Sequence, residues 1–313
     1  MELPETLQEA IVYLSDPDRC FQYALNLRWP DGLVSCPRCG SEEHSFISTR
    51  RMWFCKGCKK QFTLKVGTTF EDSPIGLDKW MAAFWLLCNS KNGISSCEVA
   101  RALGVTQKSA WFMLHRIRKT MKDDSGGKIG AIGPVEIDET FIGGKVRNMH
   151  KSKRPKTFGT QGGNGKAIVL GMLERGGKVR TQVIKNRLKK SVDPAVAANV
   201  EPGSHIITDE FQVYPHLSND YIHEVINHIE GYVRDHVHTN GIENFWSLLK
   251  RGLHGTYIAV EPEHLAQYVE EQEFRYNNRK NKNDRDRFET AMKNVFGNRL
   301  TYKDLISRDD TSF

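Results

Sequence analysis

The sequence predicts an α/β protein in which two small N-terminal regions precede a larger mixed domain. Three observations lead to this prediction. Two C-x2-C pairs lie near the N-terminus, an amphipathic helical stretch with an internal turn follows, and beyond residue 133 segments with strand and helix patterns alternate. A chain of 313 residues has room for about two or three domains. We place these domains at 15–68, 74–122 and 134–285, with a linker at 123–133 and a C-terminal tail at 286–313.

The composition excludes some classes of protein and favours an anionic partner. Lys and Arg number 45 against 38 Asp and Glu, a net charge of +7, and a hydrophobic content of 39% permits a folded core. The longest apolar run, Trp80 to Cys88, is far shorter than the roughly 20 residues that span a bilayer. The N-terminus lacks the pattern of a signal peptide. We therefore expect a cytoplasmic protein with no membrane association.

Four of the seven cysteines have the spacing of a zinc ribbon. Cys36 and Cys39 form one C-x2-C pair, Cys55 and Cys58 form another, and fifteen residues separate the pairs. Four thiolates complete a tetrahedron and leave no open position for chemistry, so the predicted Zn²⁺ is structural. The alternative, two disulfides or redox pairs, is disfavoured by the reducing compartment expected above.

Residues 77–122 have the periodicity of three helices. The expected helices are Leu77 to Asn89, Ile94 to Leu103, and a third that Thr106 caps and that runs to about Lys122. Gly104 lies between the second and third helices, where a turn with positive φ is often needed. This layout is typical of a helix-turn-helix.

The last of these helices is basic, which predicts a DNA-recognition helix. Lys108, Arg116 and Arg118 are its predicted DNA contacts. The alternative is an ordinary helical hairpin with a basic surface.

The region after residue 133 has the element order of a ribonuclease-H-like α/β domain. Three strands are followed by a helix, a fourth and a fifth strand, and a later helix. The expected elements are strands Val135–Ile142, Lys166–Leu173 and Lys178–Ile184, helix Ser191–Asn199, strands His205–Asp209 and Tyr221–Ile226, and a helix from Thr239.

Acidic residues occupy three positions that this fold would bring together. Asp138 lies in the first strand, which we expect to be central in the sheet, Asp209 ends the fourth, and Glu243 lies on the later helix. Three carboxylates in one place repel one another unless cations bind, and Mg²⁺ or Mn²⁺ prefers oxygen ligands. Asn240 and Lys250 share the helix face of Glu243, and Lys250 would hold a DNA phosphate. Taken singly, each aspartate is more simply explained as a turn or cap residue.

Several segments resemble the ISXO-like group of bacterial insertion-sequence transposases, which is related to the eukaryotic Merlin elements. The resemblance covers roughly residues 15–280. It is carried by the zinc-ribbon cysteines and by Ile137–Lys145, Thr208–Glu210, His238–Arg251 and Phe274–Arg279.

The resemblance implies a DDE transposase that cuts DNA and transfers strands with Mg²⁺ or Mn²⁺. Asp138 and Asp209 would be the first two catalytic and metal-binding acids. The third ligand would be Glu243 or Asn240, and we favour Glu243 for its charge and its spacing to Lys250. The chain departs from the group's pattern at two positions, with Gly241 where Thr is expected and Asn244 where Gly is expected.

The same resemblance implies double-stranded DNA as the partner, both the terminal inverted repeats of the element and target DNA. A homodimer or larger assembly would form on that DNA, and the bound protein would be associated with the nucleoid. The basic segment Lys145–Lys156 is interpreted as a DNA-ordered loop or a solvated one. Two alternatives remain: a catalytically silent regulator derived from a transposase, and a structure-specific nuclease.

Overall fold

The computed structural model of the chain describes residues 3–122, 127–144, 166–209, 217–218, 220–226, 238–297 and 299–300. The described residues divide into two compact units. The first unit contains the described residues of 1–122 together with those from 280 onward, and the second contains those of 123–279. No described helix is both long enough and apolar enough to cross a bilayer. The basic segment Lys145–Lys156 lies outside the described residues.

The first unit begins with two helices and a small sheet. Its elements are α1 (Leu7–Leu14), α2 (Pro17–Arg28), β1 (His44–Ile47), β2 (Met52–Cys55) and β3 (Gln61–Thr63). The strands form an antiparallel sheet in the order β1-β2-β3. Buried Trp53 stacks on Phe62 and on Phe21 of α2, with ring centroids 5.5 and 6.0 Å apart. An aromatic cluster therefore anchors this sheet to α2.

Three helices follow, close to the positions predicted from sequence: α3 (Leu77–Asn89), α4 (Ser96–Leu103) and α5 (Gln107–Met121). The turn between α4 and α5 contains Gly104 at φ +60°, a conformation that glycine adopts at little cost. Thr106 caps α5, because its side chain accepts a hydrogen bond from the Ser109 amide. The predicted glycine turn and helix cap are confirmed.

The second unit is a mixed α/β domain. Its elements are β4 (Val135–Ile142), β5 (Ala167–Glu174), β6 (Val179–Ile184), α6 (Lys189–Asn199), β7 (His205–Asp209), β8 (Ile222–Ile226), α7 (Asn240–Gly252) and α8 (Leu265–Asn277). The five strands are ordered β6-β5-β4-β7-β8. Strands β4, β5 and β6 are antiparallel, whereas β7 and β8 run parallel to β4. The central position of β4, expected from sequence, is confirmed.

Apolar side chains cover both faces of this five-stranded sheet. On one face, Ile137 and Leu170 pack against Val196 of α6. On the other, Val169 and Leu173 pack with residues of α7 and α8. Successive side chains of a strand point to opposite faces of the sheet. The residues of β4 and β7 that alternate with those packed on α6 therefore face α7.

The C-terminal segment forms part of the first unit. Residues 286–313 were predicted to be a tail, but Asp284–Lys293 form helix α9. Phe288 of α9 is fully buried and packs on Trp85 of α3 and Tyr23 of α2, with ring centroids 5.6 and 5.8 Å apart. The tail was predicted because this segment carries many charges, but the apolar face of α9 is part of the core of the first unit. Residues 301–313 lie outside the described part of the chain.

Candidate active site and zinc centre

The four cysteines predicted to bind zinc converge. Their sulfur atoms all lie within 4.8 Å of one another. The Sγ atoms of Cys36 and Cys58 are 3.8 Å apart, and those of Cys39 and Cys55 are 3.6 Å apart. Four thiolates held about 2.3 Å from one zinc ion in a tetrahedron lie roughly 3.8 Å from each other. The geometry therefore fits a structural zinc site.

A hydrogen bond from the backbone prepares one of these thiols for metal binding. The amide of Cys58 donates to the sulfur of Cys55 at 3.5 Å. This hydrogen bond lowers the pKa of the Cys55 thiol to about 6, because it stabilises the thiolate. A thiolate is the form that ligates a metal.

The first two candidate acids lie side by side on neighbouring strands. Strands β4 and β7 are parallel and pair Val135 with Ile206. The pairing ends at Glu136 and Ile207, and continued for two more residues this register would set Asp138 opposite Asp209. The charge of Asp209 acts on Asp138 and raises its pKa, so the two carboxylates lie near each other. Neighbouring strands are about 4.8 Å apart, and both carboxylates face away from α6. A parallel pairing of two distant strands therefore brings the two acids together.

Helix α7 packs on the same face of the sheet and contacts the first acid directly. The indole Nε1 of Trp246 donates to Oδ2 of Asp138 at 2.9 Å. Gly171, paired with Asp138 on β5, makes room for the indole. A Cβ on Gly171 would lie 2.6 Å from the Trp246 ring. The sequence analysis did not single out Trp246 as a site residue.

A second carboxylate on β4, Glu136, holds the start of α7. Glu136 is 1% exposed and accepts a hydrogen bond from the Ile242 amide at 2.9 Å. Its other oxygen pairs with Nε of Arg175 at 2.7 Å. Sequence reasoning missed this residue, although a glutamate inside an apolar strand two positions before Asp138 is itself a signal that it has a buried partner.

Gly241, one of the two departures from the expected pattern, has a structural reason. A Cβ at this position would lie 2.8 Å from Oε2 of Glu136 and 3.1 Å from Leu173. The absence of a side chain therefore lets the first turn of α7 approach the buried Glu136 carboxylate.

The third acidic position lies in the first turn of α7. Glu243 and Asn240 are both exposed, and the Thr239 hydroxyl donates to Oε1 of Glu243 at 3.3 Å. Lys250 is partly exposed, two turns further along α7. Within the described ranges, the zinc-ribbon cysteines form the one group of three or more potential ligands that converge within 4.8 Å. The three carboxylate positions are therefore more widely spaced than the cysteines.

Such spacing is compatible with two metal ions about 3.5–4 Å apart, because the ligands of a two-metal site are spread across both ions.

The environment of Asp138 disfavours its charged form. Burial and the nearby charges of Glu139 and Asp209 raise the pKa of Asp138 to about 6, and the Trp246 hydrogen bond opposes this shift. Glu139 itself is paired with Arg187. Alternation along β4 puts Glu139 on the opposite face from Asp138. Asp138 and Asp209 thus lie on the α7 face of the sheet, as does Glu136.

Two of the predicted DNA contacts on α5 are buried, contrary to what a DNA-contacting side chain requires. Arg116 and Arg118 are each 1% exposed, so neither can reach a DNA phosphate in this structure. Arg116 Nη1 instead donates to the carbonyl oxygens of Thr69 and Glu71, both at 2.7 Å. Lys108, at the start of α5, is exposed and remains a candidate.

Comparison with known proteins identifies the family. Residues 130–277 match the ISXO2-like transposase domain, and residues 15–61 match the transposase zinc-ribbon domain. The chain belongs to this family of insertion-element transposases.

Two relatives illustrate the relationship. An uncharacterized transposase-like protein of Haemophilus influenzae is 35% identical over 102 residues, which are 32% of this chain and 82% of that protein. An uncharacterized protein in transposable element ISH50 of Halobacterium salinarum is 27% identical over 256 residues, which are 78% of this chain and 85% of that protein.

Among solved structures, a chain of the simian T-cell lymphotropic virus intasome in complex with PP2A regulatory subunit B56 gamma is similar to 61% of this chain. The match spans 65% of that chain, at 18% identity and a TM-score of 0.29.

Proposed function

We propose that this transposase cuts and joins DNA with divalent metal ions at Asp138, Asp209 and Glu243. The observation that supports the proposal is the parallel pairing of β4 with β7, whose continuation would set Asp138 beside Asp209, together with the effect of the Asp209 charge on the Asp138 carboxyl. The strand order, with three antiparallel and two parallel strands and helices on both faces, supports a ribonuclease-H-like fold.

The chemistry of the donor set fits Mg²⁺ or Mn²⁺. These ions prefer carboxylate and amide oxygens, and the crowding of negative charge around Asp138 is relieved by a cation. Asp138, Asp209 and Glu243 would hold the ions, with Asn240 as the alternative third ligand. When bound, the ions polarise the scissile phosphate and activate the attacking water or 3′-hydroxyl.

The protein's own residues position the reacting groups. Glu136 fixes the first turn of α7, and thereby the backbone that carries Glu243. Lys250, two turns beyond Glu243, is proposed to hold a DNA phosphate beside the site. The buried sheet provides the rigid base that a catalytic arrangement requires.

The proposed substrate is double-stranded DNA, as element ends and as target. The zinc ribbon and the α4–α5 helix-turn-helix would recognise the ends, with Lys108 as one phosphate contact. Joining two ends requires two active sites, so a dimer or larger assembly on DNA is proposed. The proposed location is the cytoplasm, on the nucleoid when DNA is bound.

Cleavage and strand transfer on DNA that carries the element ends test the proposal. We expect Mg²⁺- or Mn²⁺-dependent products from the wild-type protein and none from Asp138→Ala or Asp209→Ala. Glu201→Ala is the matched control, because Glu201 is an exposed acid beside the opposite end of β7. Comparing Glu243→Ala with Asn240→Ala identifies the third ligand, since only loss of a true ligand abolishes cleavage.

Two outcomes would favour other functions. Specific binding of the ends with no cleavage by any variant would favour the silent regulator. Cleavage without joining of products to target DNA would favour a nuclease.

A further inference from the structure

A single hydrogen bond between side chains joins α7 to Asp138. One polar atom of Trp246, the indole Nε1, lies 2.9 Å from one oxygen of Asp138, Oδ2. The indole is 4% exposed and packs edge-on against Phe245, with ring centroids 5.2 Å apart. On the side of the sheet, the indole packs against the backbone of Gly171. A Cβ atom at residue 171 would lie 2.6 Å from the indole ring. The indole is therefore confined on several sides with its N–H directed at the carboxylate.

This hydrogen bond restricts how the carboxylate can present itself to a cation. An Asp side chain turns readily about its terminal torsion, so an unrestrained carboxylate can offer one oxygen or both. The hydrogen bond from the indole to Oδ2 limits this rotation, and this favours ligation of a cation through Oδ1 alone. Single-oxygen ligation suits Mg²⁺, which requires near-ideal octahedral geometry, whereas the larger Ca²⁺ also accepts a carboxylate through both oxygens.

We propose that Trp246 is a positioning residue that holds Asp138 as a one-oxygen ligand and so favours Mg²⁺ and Mn²⁺ over Ca²⁺. The inference rests on the proposed metal site at Asp138. It assigns a function to a side chain that would otherwise be regarded as part of the apolar core. Outer partners that orient a metal ligand typically change metal affinity by about 10- to 100-fold when they are removed.

The simpler explanation is that Trp246 only fills space beneath α7. The two explanations differ for Trp246→Phe, which keeps an aromatic ring in the same place and removes the N–H donor. If the residue only packs, this variant has nearly normal cation binding. If the N–H orients Asp138, the variant loses affinity for Mg²⁺ and Mn²⁺ more than for Ca²⁺.

The experiment measures cation binding directly on the full-length, zinc-loaded protein without DNA. Electron paramagnetic resonance of free Mn²⁺ gives the Mn²⁺ affinity, and competition with Mg²⁺ and with Ca²⁺ gives the other two. We expect Trp246→Phe to weaken Mn²⁺ binding by about tenfold or more and to reduce the preference for Mg²⁺ over Ca²⁺. Gly171→Ala, which displaces the indole from the sheet side, should change the preference in the same direction.

A matched control separates orientation from packing. Val269→Ala removes methyl groups from the same apolar core at a side chain of α8 that cannot form a hydrogen bond, and should leave the Mg²⁺ to Ca²⁺ preference at its wild-type value. An unchanged Mn²⁺ affinity and an unchanged preference in Trp246→Phe would overturn the inference while the proposed function stands. Equal cation binding by wild type and Asp138→Asn would instead overturn the proposed metal site, and the inference with it.

Discussion

At the scale of single residues, Asp138 is held in an environment that opposes its own charge. Burial, Glu139 and Asp209 raise its pKa to about 6 from an ordinary value of 3.8, so the folded protein binds this proton more tightly than the unfolded chain. Stability contributed by the carboxyl is therefore lost as pH rises from about 4 to about 6 and stays lost above that range. At neutral pH the carboxylate is charged in an environment that disfavours the charge, so binding of a cation at this site is favoured.

Replacing the charge should consequently stabilise the fold while it removes the proposed chemistry. We expect Asp138→Asn to raise the free energy of unfolding at pH 7.5 by up to about 3 kcal/mol, measured without added Mg²⁺ or Mn²⁺. The gain should shrink as pH falls from 6 to 4, which denaturant unfolding at several pH values would detect. Glu201→Gln, at an exposed position, serves as the control. A gain that is the same at pH 4 and pH 7.5 would contradict the assigned cause.

Arg116 and Lys108 lie on the same helix and have different roles. Arg116 is buried and satisfies two backbone carbonyls, so Arg116→Ala should destabilise the first unit by about 3 kcal/mol. Lys108 is exposed, so Lys108→Ala should change stability by less than about 0.5 kcal/mol. Lys108→Ala should also lower the number of ions released on DNA binding by about one. The slope of the logarithm of the binding constant against the logarithm of the salt concentration measures this number.

Thermal unfolding and binding titrations at several salt concentrations separate these two effects. Equal losses of stability in the two variants would refute the assignment.

At the scale of elements, we expect the zinc ribbon to depend on its metal, because strands of three or four residues are too short to form a stable sheet by themselves. The four sulfurs are already at zinc spacing, so we expect one zinc per chain by elemental analysis. Cys39→Ser should remove that zinc and the hydrogen-exchange protection of β1 and β2. Cys97→Ser, at an exposed cysteine outside the ribbon, should change neither. Full protection of the ribbon in zinc-free Cys39→Ser protein would show that the sheet is stable without metal.

The elements also show what the sequence could predict. The C-x2-C spacing is local, and it predicted a cysteine cluster that the structure confirms. The turn at Gly104 and the cap at Thr106 are equally local signals, and both were predicted correctly. The central position of β4 followed from the order of strands and helices along the chain. Signals from residues that are close in sequence therefore predicted much of the order of helices and strands.

The missed features depend on contacts between distant residues. Nothing in the sequence of α5 distinguishes buried Arg116 from exposed Lys108, because the carbonyl partners of Arg116 lie 45 and 47 residues away. The hydrogen bond from Trp246 to Asp138 spans 108 residues and requires Gly171 on a third element. Glu136 is likewise explained only by its contact with the start of α7, 106 residues later. Such roles become visible only when the packing of α7 on the sheet is known.

At the scale of the whole molecule, the chain leaves the first unit after residue 122 and returns to it at residue 280. The α/β unit is therefore inserted between α5 and α9. Phe288 of α9 completes the core of the first unit beside Trp85. Phe245 has the corresponding position in the core of the second unit and packs on Tyr276 with ring centroids 5.2 Å apart.

Removing either ring should destabilise mainly the unit to which it belongs. We expect Phe288→Ala to cost the first unit about 3–5 kcal/mol and to accelerate hydrogen exchange in α3 with little effect on β4 and β5. Phe245→Ala should do the reverse, accelerating exchange in β5 and α7 while α3 stays protected. Hydrogen exchange of the full chain followed by mass spectrometry measures both, and each variant is the control for the other. If Phe288→Ala exposed β4 and β5 as much as α3, the two units would unfold as one, and the C-terminal helix would stabilise the candidate active site as well as the first unit.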